Sequence, residues 1–350
     1  MAQEEFEKLP EEGQEKKKKK SGCLIALIVA LVLVLALLIA AALGLNYVFG
    51  RLGRFENPVQ EGETIAMLPD ETETDPAENV EGLETVDASD VVLETVDVLE
   101  GDVVNIMLIG QDRRPGEERV RSDSMILVSM NKEKGTIQLT SFMRDLYVQI
   151  PGYLDTRLNA AYRYGGTDLM NETFKVNFGL EIDGNVMVDF DEFTEIIEIL
   201  GGVTLDISSA EARYMNNASD NHFSAGSNYF NAEDALTFTR MRYAAGNDYG
   251  RTERQRRVLM AIAYSLRDAD LMTIFNLIDQ VLPHIVTNLT DAQIIEYTTT
   301  GLGILAGGGE IGTNRIPQDD AHYNANIRGM AVLVPNLEMC REDLKEFIYD

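Results

Sequence analysis

The sequence predicts an α/β protein, a three-layer α-β-α domain with a mostly buried sheet, preceded by one N-terminal transmembrane helix. Three observations carry this reading. The lysine run "KKKKK" at 16–20 is followed by thirty residues without a charge, Ser21 to Gly50. Beyond residue 102, continuous apolar runs of strand length alternate with segments whose apolar residues recur at helical spacing. Glycine pairs and capping residues fall at the joints between the two kinds of segment.

The elements follow in order. Residues 1–22 are a cytoplasmic tail. A membrane-spanning helix needs roughly 20 apolar residues and a signal-peptide core only about 7–15, so residues 23–47 read as a retained transmembrane helix. The lysines on its N-terminal side, against only Arg51 and Arg54 beyond it, place the tail in the cytoplasm and the rest outside. The small residues of "AAALG" leave a cleaved signal open; in either case the remainder is extracytoplasmic, and the expected location is the cell membrane, single-pass. Residues 48–102 are an acidic linker: from 51 to 102 there are sixteen Asp and Glu, with Pro58, Pro69 and Pro76, too little apolar content to fold alone. Cys23 and Cys340, the two cysteines, show no paired spacing and read as free thiols.

The domain is residues 103–350. "VVNIMLIG" (103–110) is a buried strand, and "SMILVSMN" (124–131) and "GTIQLTSF" (135–142) are strands joined by a turn. Helices are expected over 165–180, 190–202, 231–239 (capped by Asn231, with Asp234 at its third position), 251–266, 270–282 and 291–305, with a strand "VTLDI" at 203–207. The stretch 208–230 reads as a polar loop, and the glycine-rich 301–312 has no assignment.

The formal charge is −28, and residues 103–350 alone hold 22 basic against 36 acidic side chains. That balance excludes nucleic acid, which needs a basic footprint. Yet "RMRYAAGNDYGRTERQRR" (240–257) holds six of the twenty arginines. Arg240 and Arg242, two apart, point the same way in an extended segment. Arg251, Arg254 and Gln255 are spaced i, i+3, i+4 and share a helix face, with Asp248 just ahead to cap it or pair with an arginine. Such a cluster is either a salt-bridged helix face or a small-anion site, because guanidinium binds phosphate in bidentate fashion. Arg144 emerges at the end of the third strand, followed by Arg157, Asn159, Tyr162 and Arg163. Asp112 lies just past the first strand and Asp123 just before the second, the end of an α/β sheet where ligands bind. Two carboxylates there suit Mg²⁺, which completes its shell with water and phosphate oxygens.

In this order, "D(112)…RSDS", "MRD", "LNAAYRYGG", "GGV" and "ALTFTRMRYAAGNDYGRTERQRRVL" resemble the LytR–CpsA–Psr family of cell-wall enzymes, closely over 103–265 and loosely beyond. The resemblance implies an α-β-α domain with a hydrophobic pocket for a polyprenyl chain. It also implies transfer of an anionic glycopolymer, of teichoic acid or capsule type, from undecaprenyl pyrophosphate to peptidoglycan in Gram-positive bacteria. Position by position, it implies Mg²⁺ on Asp112 and Asp123, and pyrophosphate on Arg113, Arg144, Arg240, Arg242, Arg251 and Gln255. Asp248 falls on the acidic position ahead of the helix. Phe142–Met143 replace the Ile–Pro of many members. Asp123 or Asp248 is a candidate base, Arg254 an assistant, and Arg256 and Arg257 face solvent or acidic neighbours. His222, His284 and His322 fall outside the motifs and read as structural or surface residues. Alternative readings are a non-catalytic sensor of lipid-linked sugars and a lipid pyrophosphatase.

Overall fold

The computed structural model describes residues 82–111, 122–241, 247–267 and 280–350, with 53–54, 80 and 277 besides. The expected tail 1–22, the transmembrane segment 23–47 and most of the linker lie outside the described residues. Among those described, no helix is long and apolar enough to cross a membrane.

The strands are β1 (Gly53–Arg54), β2 (Val103–Gln111), β3 (Ser122–Asn131), β4 (Thr136–Phe142), β5 (Tyr147–Val148), β6 (Thr156–Arg157), β7 (Gly184–Asp189), β8 (Val203–Ile207), β9 (Gly226–Phe230), β10 (Val286–Thr287), β11 (Ile311–Ile316), β12 (His322–Ile327) and β13 (Met330–Pro335). The helices are α1 (Ala160–Phe178), α2 (Phe190–Ile199), α3 (Ser209–Ala218), α4 (Ala232–Arg240), α5 (Asn247–Arg267), α6 (Asp291–Ala306) and α7 (Leu337–Leu344). Seven strands form one mixed sheet in the order β1-β10-β7-β2-β3-β4-β11, with β2–β3 and β3–β4 antiparallel and β2–β7 and β4–β11 parallel.

Alternation along the central strands sends their side chains to two faces. On one face Met107, Ile109, Met125, Leu127 and Phe142 pack with Phe174 and Phe178 of α1 and Leu344 of α7. Phe142 meets Phe174 edge-on, with ring centroids 4.7 Å apart. On the other face Val104, Ile126, Met130 and Leu139 pack against Leu259 and Met260 of α5 and Leu305 of α6. A third apolar cluster joins Ile197 of α2, Met215 of α3 and Phe238 of α4 to β8 and β9.

Several expectations change. Helix α1 begins at Ala160 rather than 165, and Gly165–Gly166 is a break inside it, with Gly166 at φ 65°. The stretch expected as a polar loop holds α3, whose Ser208–Glu211 capping box is complete. The glycine-rich segment supplies the end of α6, a turn through Gly308 at φ 83°, and the entry to β11. The expected helix over 270–282 lies mostly outside the described residues. Ahead of β2, Val86, Val91 and Leu93 pack on β12–β13, and the Leu99 N–H donates to the Gly179 carbonyl at 2.8 Å. The last part of the acidic stretch read as linker is thus seated on the domain, because its valines and leucines find an apolar surface.

Candidate functional site

The C-terminal ends of β2, β4, β7 and β11 and the start of β3 share one end of the sheet. There the β2–β3 register passes from Gly110–Ser124 to Gln111–Ser122, which leaves Asp123 as the extra residue of a β-bulge. A bulge re-aims a side chain, and Asp123 turns into a cavity of about 180 Å³. Gly110, Asp123, Ser124, Phe190, Thr239, Arg240, Arg251 and Gln255 line it. Gly110 forms part of its floor, and a Cβ there would press on the Ser124 Cβ at 3.0 Å.

The cavity is furnished from four directions. From α5, Arg251 and Gln255 arrive one turn apart, as their spacing predicts, with Arg251 buried. Ser124 of β3 fixes the amide by donating from Oγ to Gln255 Oε1 at 3.0 Å. Arg240 is the last residue of α4, helical rather than extended as expected, and its guanidinium lies 4.6 Å over the Phe190 ring at the start of α2. A cation also suits a helix C-terminus. Arg144, buried at 7% exposure beyond β4, donates from Nη1 to Asp123 Oδ1 at 2.8 Å. The Phe142–Met143 pair ahead of it is core, each 2% exposed, so the change from Ile–Pro keeps the segment anchored. Asp145 lies 3.5 Å from Arg144 and 3.9 Å from Arg157, which donates to the Ala331 carbonyl at 2.8 Å. Arg157 therefore ties the β12–β13 hairpin to the site's floor.

Of the nine expected site residues, Asp123, Arg240, Arg251 and Gln255 meet around one cavity, with Arg144 bound to Asp123. Asp112, Arg113 and Arg242 lie outside the described residues. Asp248 falls within the first turn of α5, which begins at Asn247, rather than ahead of it. The neighbouring arginines divide differently from expectation. Arg254, 2% exposed, donates to the Met241 carbonyl and lies 3.8 Å from Glu211; burial lowers its pKa. Arg256 is 8% exposed instead of solvent-facing. Burial, with Arg315 nearby, brings its pKa down to about 10. Arg257 does meet an acidic neighbour, Glu211 Oε1 at 2.7 Å. Ser124, Thr239 and Phe190 were missed; the alternation of β3 carried a signal for Ser124, whereas the Phe190–Arg240 stack is non-local.

Among the described residues lining the cavity, the guanidinium groups of Arg240 and Arg251 outnumber the single carboxylate of Asp123, which Arg144 pairs, in a strongly acidic chain. On the same sheet face, Ile106 and Leu108 continue from Gly110, and Val128 and Met130 from Ser124. With Val186, Ile294 and Tyr297 they line an apolar cavity of about 270 Å³. Strand geometry places the two cavities within roughly 20 Å of each other along β2. A mouth of arginines beside an apolar groove is the arrangement of a domain that receives an amphiphile with an anionic head.

The chain belongs to the LytR_cpsA_psr family, whose pattern it matches over residues 70–346. It is 30% identical over 208 residues to the polyisoprenyl-teichoic acid–peptidoglycan teichoic acid transferase TagU of Bacillus cereus, covering 58% of this chain and 66% of that protein, just under two thirds of its length. Among solved structures, B. subtilis TagV is similar with a TM-score of 0.57 and 26% identity, over 71% of this chain and 98% of that one. The TagT (YwtF) structure with bound octaprenyl pyrophosphate lipid shares the fold, with a TM-score of 0.55 and 21% identity over 73% and 97% of the two chains.

Proposed function

We propose that this protein is a phosphotransferase that moves an anionic glycopolymer, of teichoic acid or capsule type, from an undecaprenyl pyrophosphate carrier to peptidoglycan. The observation that carries the reading is the convergence of Asp123, Arg240, Arg251 and Gln255 on one cavity, on the same sheet face as an apolar groove. The relatives' names, a teichoic acid transferase and a fold neighbour holding a polyprenyl pyrophosphate, support the substrate class.

The prenyl chain lies along Ile106, Leu108 and Val128, where burial of each CH₂ contributes about 0.8 kcal/mol. Arg240, Arg251 and Arg144, with Arg113 and Arg242, grip the phosphates, and Gln255 orients them from its tether to Ser124. A peptidoglycan hydroxyl attacks the sugar-proximal phosphorus. The O–P bond to the acceptor forms as the bridging O–P bond breaks, and polyprenyl phosphate leaves with the electron pair. Arginines held in a partly desolvated site stabilise charge that develops on the phosphoryl oxygens, with little reorganisation. One carboxylate at the rim with phosphate oxygens beside it suits Mg²⁺, which takes few protein ligands. Asp123 with Asp112 would hold it, and the ion would add charge neutralisation on the phosphates. The lysine run and the apolar stretch 23–47, read as a cytoplasmic tail and a transmembrane helix, support a catalytic domain outside the cell, beside lipid carrier and wall.

The test uses full-length protein in detergent with Mg²⁺, a lipid pyrophosphate-linked glycan and peptidoglycan oligomers, followed by mass analysis. A glycan–phosphate–peptidoglycan product, lost in Arg240→Ala and Arg251→Ala, is expected. Free glycan phosphate alone would point to the pyrophosphatase. Donor binding with no turnover across several donors would leave a sensor and sink the transferase reading.

A further inference from the structure

Helix α5 presents a second set of side chains away from Arg251 and Gln255. Tyr249, Thr252 and Arg256 recur at i, i+3 and i+7 and share a face turned toward β4 and β11. The Tyr249 hydroxyl lies 2.7 Å from His322 Nε2, and His322 Nδ1 lies 2.8 Å from the Gln318 carbonyl oxygen. A carbonyl only accepts, so Nδ1 carries the hydrogen and neutral Nε2 accepts the Tyr249 proton. The Arg315 guanidinium lies 4.1 Å over the Tyr249 ring and is itself held by the Pro317 carbonyl at 3.0 Å and Asp319 at 2.6 Å. Tyr249 and His322 are half-buried, so the hydroxyl is ordered without being sealed into the core.

The strand register places this cluster beside the phosphate site. Arg315 aligns with Ser141 and Ile316 with Phe142, and the Met143 N–H donates to the Ile316 carbonyl at 2.9 Å. Arg315 therefore lies on the strand next to β4, about 5 Å away in the pairing direction, level with Ser141 and three residues short of Arg144. Ser141 in turn pairs with Ile126, two residues along β3 from Ser124, so Arg315 and Ser124 share a sheet face. Across this end the order is the cavity on β2 and β3, the Asp123–Arg144 pair, then Tyr249 and His322 at the β11 side.

We propose that Tyr249 and His322 form the acceptor-side proton relay of the transfer, with Tyr249 as a catalytic residue and His322 as its positioning residue. The assignment rests on the phosphotransferase reading. As the acceptor oxygen bonds to phosphorus, its proton passes to the Tyr249 oxygen and the Tyr249 proton passes to His322 Nε2. The bridging O–P electron pair leaves with the lipid phosphate, and the imidazolium then releases its proton to solvent. Asp319 is the charged group that bears on the imidazole, with Arg315 bound to it; Arg256 of α5 lies near Arg315, and Asp343 of α7 lies 3.4 Å from Gln318.

The test compares full-length wild type, Tyr249→Phe and His322→Gln in detergent with the same donor and peptidoglycan oligomers, from pH 5 to 9. General acid–base catalysis contributes about 10²–10⁴-fold. Both variants should lose kcat in that range with donor KM unchanged within about twofold. His322→Gln should also lose the acid limb of the wild-type pH profile. Retention of that limb and of kcat within about threefold in His322→Gln overturns the proposal. If His322→Gln melts far below wild type, Tyr249→Phe decides on kcat alone. Wild type that binds donor and transfers nothing overturns the transferase reading and this relay together. An active wild type with unchanged variants overturns the relay alone.

Discussion

The Arg144 guanidinium meets the Asp123 carboxylate at 2.8 Å at the rim of the arginine-lined cavity. The pair joins the end of β4 to the bulge of β3, so each residue sets the other's direction before any ligand arrives. Arg144→Ala should lower kcat about 10²–10³-fold, the cost of removing one donor to a developing oxyanion. Arg144→Lys should recover only part of it, since an ammonium lacks the planar fork. Steady-state transfer assays on the full-length protein, with donor binding measured alongside, check both. Equal kcat in wild type and Arg144→Ala would remove Arg144 from the chemistry.

Arg254 sits three residues past Arg251 yet does other work. Its donation to the Met241 carbonyl ties α5 to the C-cap of α4, and its approach to Glu211 joins α5 to α3. Breaking a buried ion pair costs about 3–5 kcal/mol, so Arg254→Ala should lower Tm by on the order of 10 °C. Donor affinity measured well below that melting point should change less than in Arg251→Ala. A variant that melts like wild type but fails to bind would move Arg254 into the phosphate site.

How much was legible follows from which contacts are local. Arg251 and Gln255 are one helical turn apart, so their common direction was readable from spacing alone, as was the Asn231 cap of α4. The direction of Arg254 and Arg256 was not, because two helix faces can both carry arginine and only the packed neighbours decide which is buried. Asp123 was readable as a strand-end carboxylate, but its bulge depends on how β2 pairs with β3. The Tyr249–His322 contact spans 73 residues of sequence, and no local pattern announces it. Helix α3 was missed because its composition is polar, although Ser208 and Glu211 stand at capping-box spacing.

Glu211 offers a pH test of the α3–α5 junction. Burial opposes its ionisation, but the Ser208 backbone N–H at 2.8 Å and Arg257 at 2.7 Å outweigh that and hold its pKa below the ordinary value. A carboxylate depressed in the folded state stabilises above its unfolded pKa and loses that contribution as pH falls through the folded value. Glu211→Gln should therefore be less stable than wild type at pH 7, and the gap should narrow toward pH 3. Urea midpoints at the two pH values measure this; a gap that widens in acid would contradict it.

Topology can be read from Val92, which is 79% exposed on the segment ahead of β2. In a Cys23→Ser background, Val92→Cys should react with a membrane-impermeant maleimide in intact cells. Cys340 gives little background, being 1% exposed with its thiol pushed up to about 12, chiefly by burial. Protection in intact cells together with labelling in lysates would place the domain inside and reverse the orientation inferred from the lysine run.

The apolar groove makes a prediction independent of the arginines. Ile294 and Tyr297 of α6 face Ile106 and Leu108 across it. Each buried CH₂ contributes about 0.8 kcal/mol, so affinity for prenyl pyrophosphates should climb with chain length until the groove is filled and then level off. Ile294→Asp places a carboxylate against the chain and should weaken binding of a long-chain pyrophosphate about tenfold or more. Inorganic pyrophosphate, which reaches only the arginines, should bind both proteins alike. Calorimetric titration of both ligands into wild type and variant checks this. Equal losses for both ligands would mean that the substitution disturbs the whole face, and no loss for either would place the lipid elsewhere.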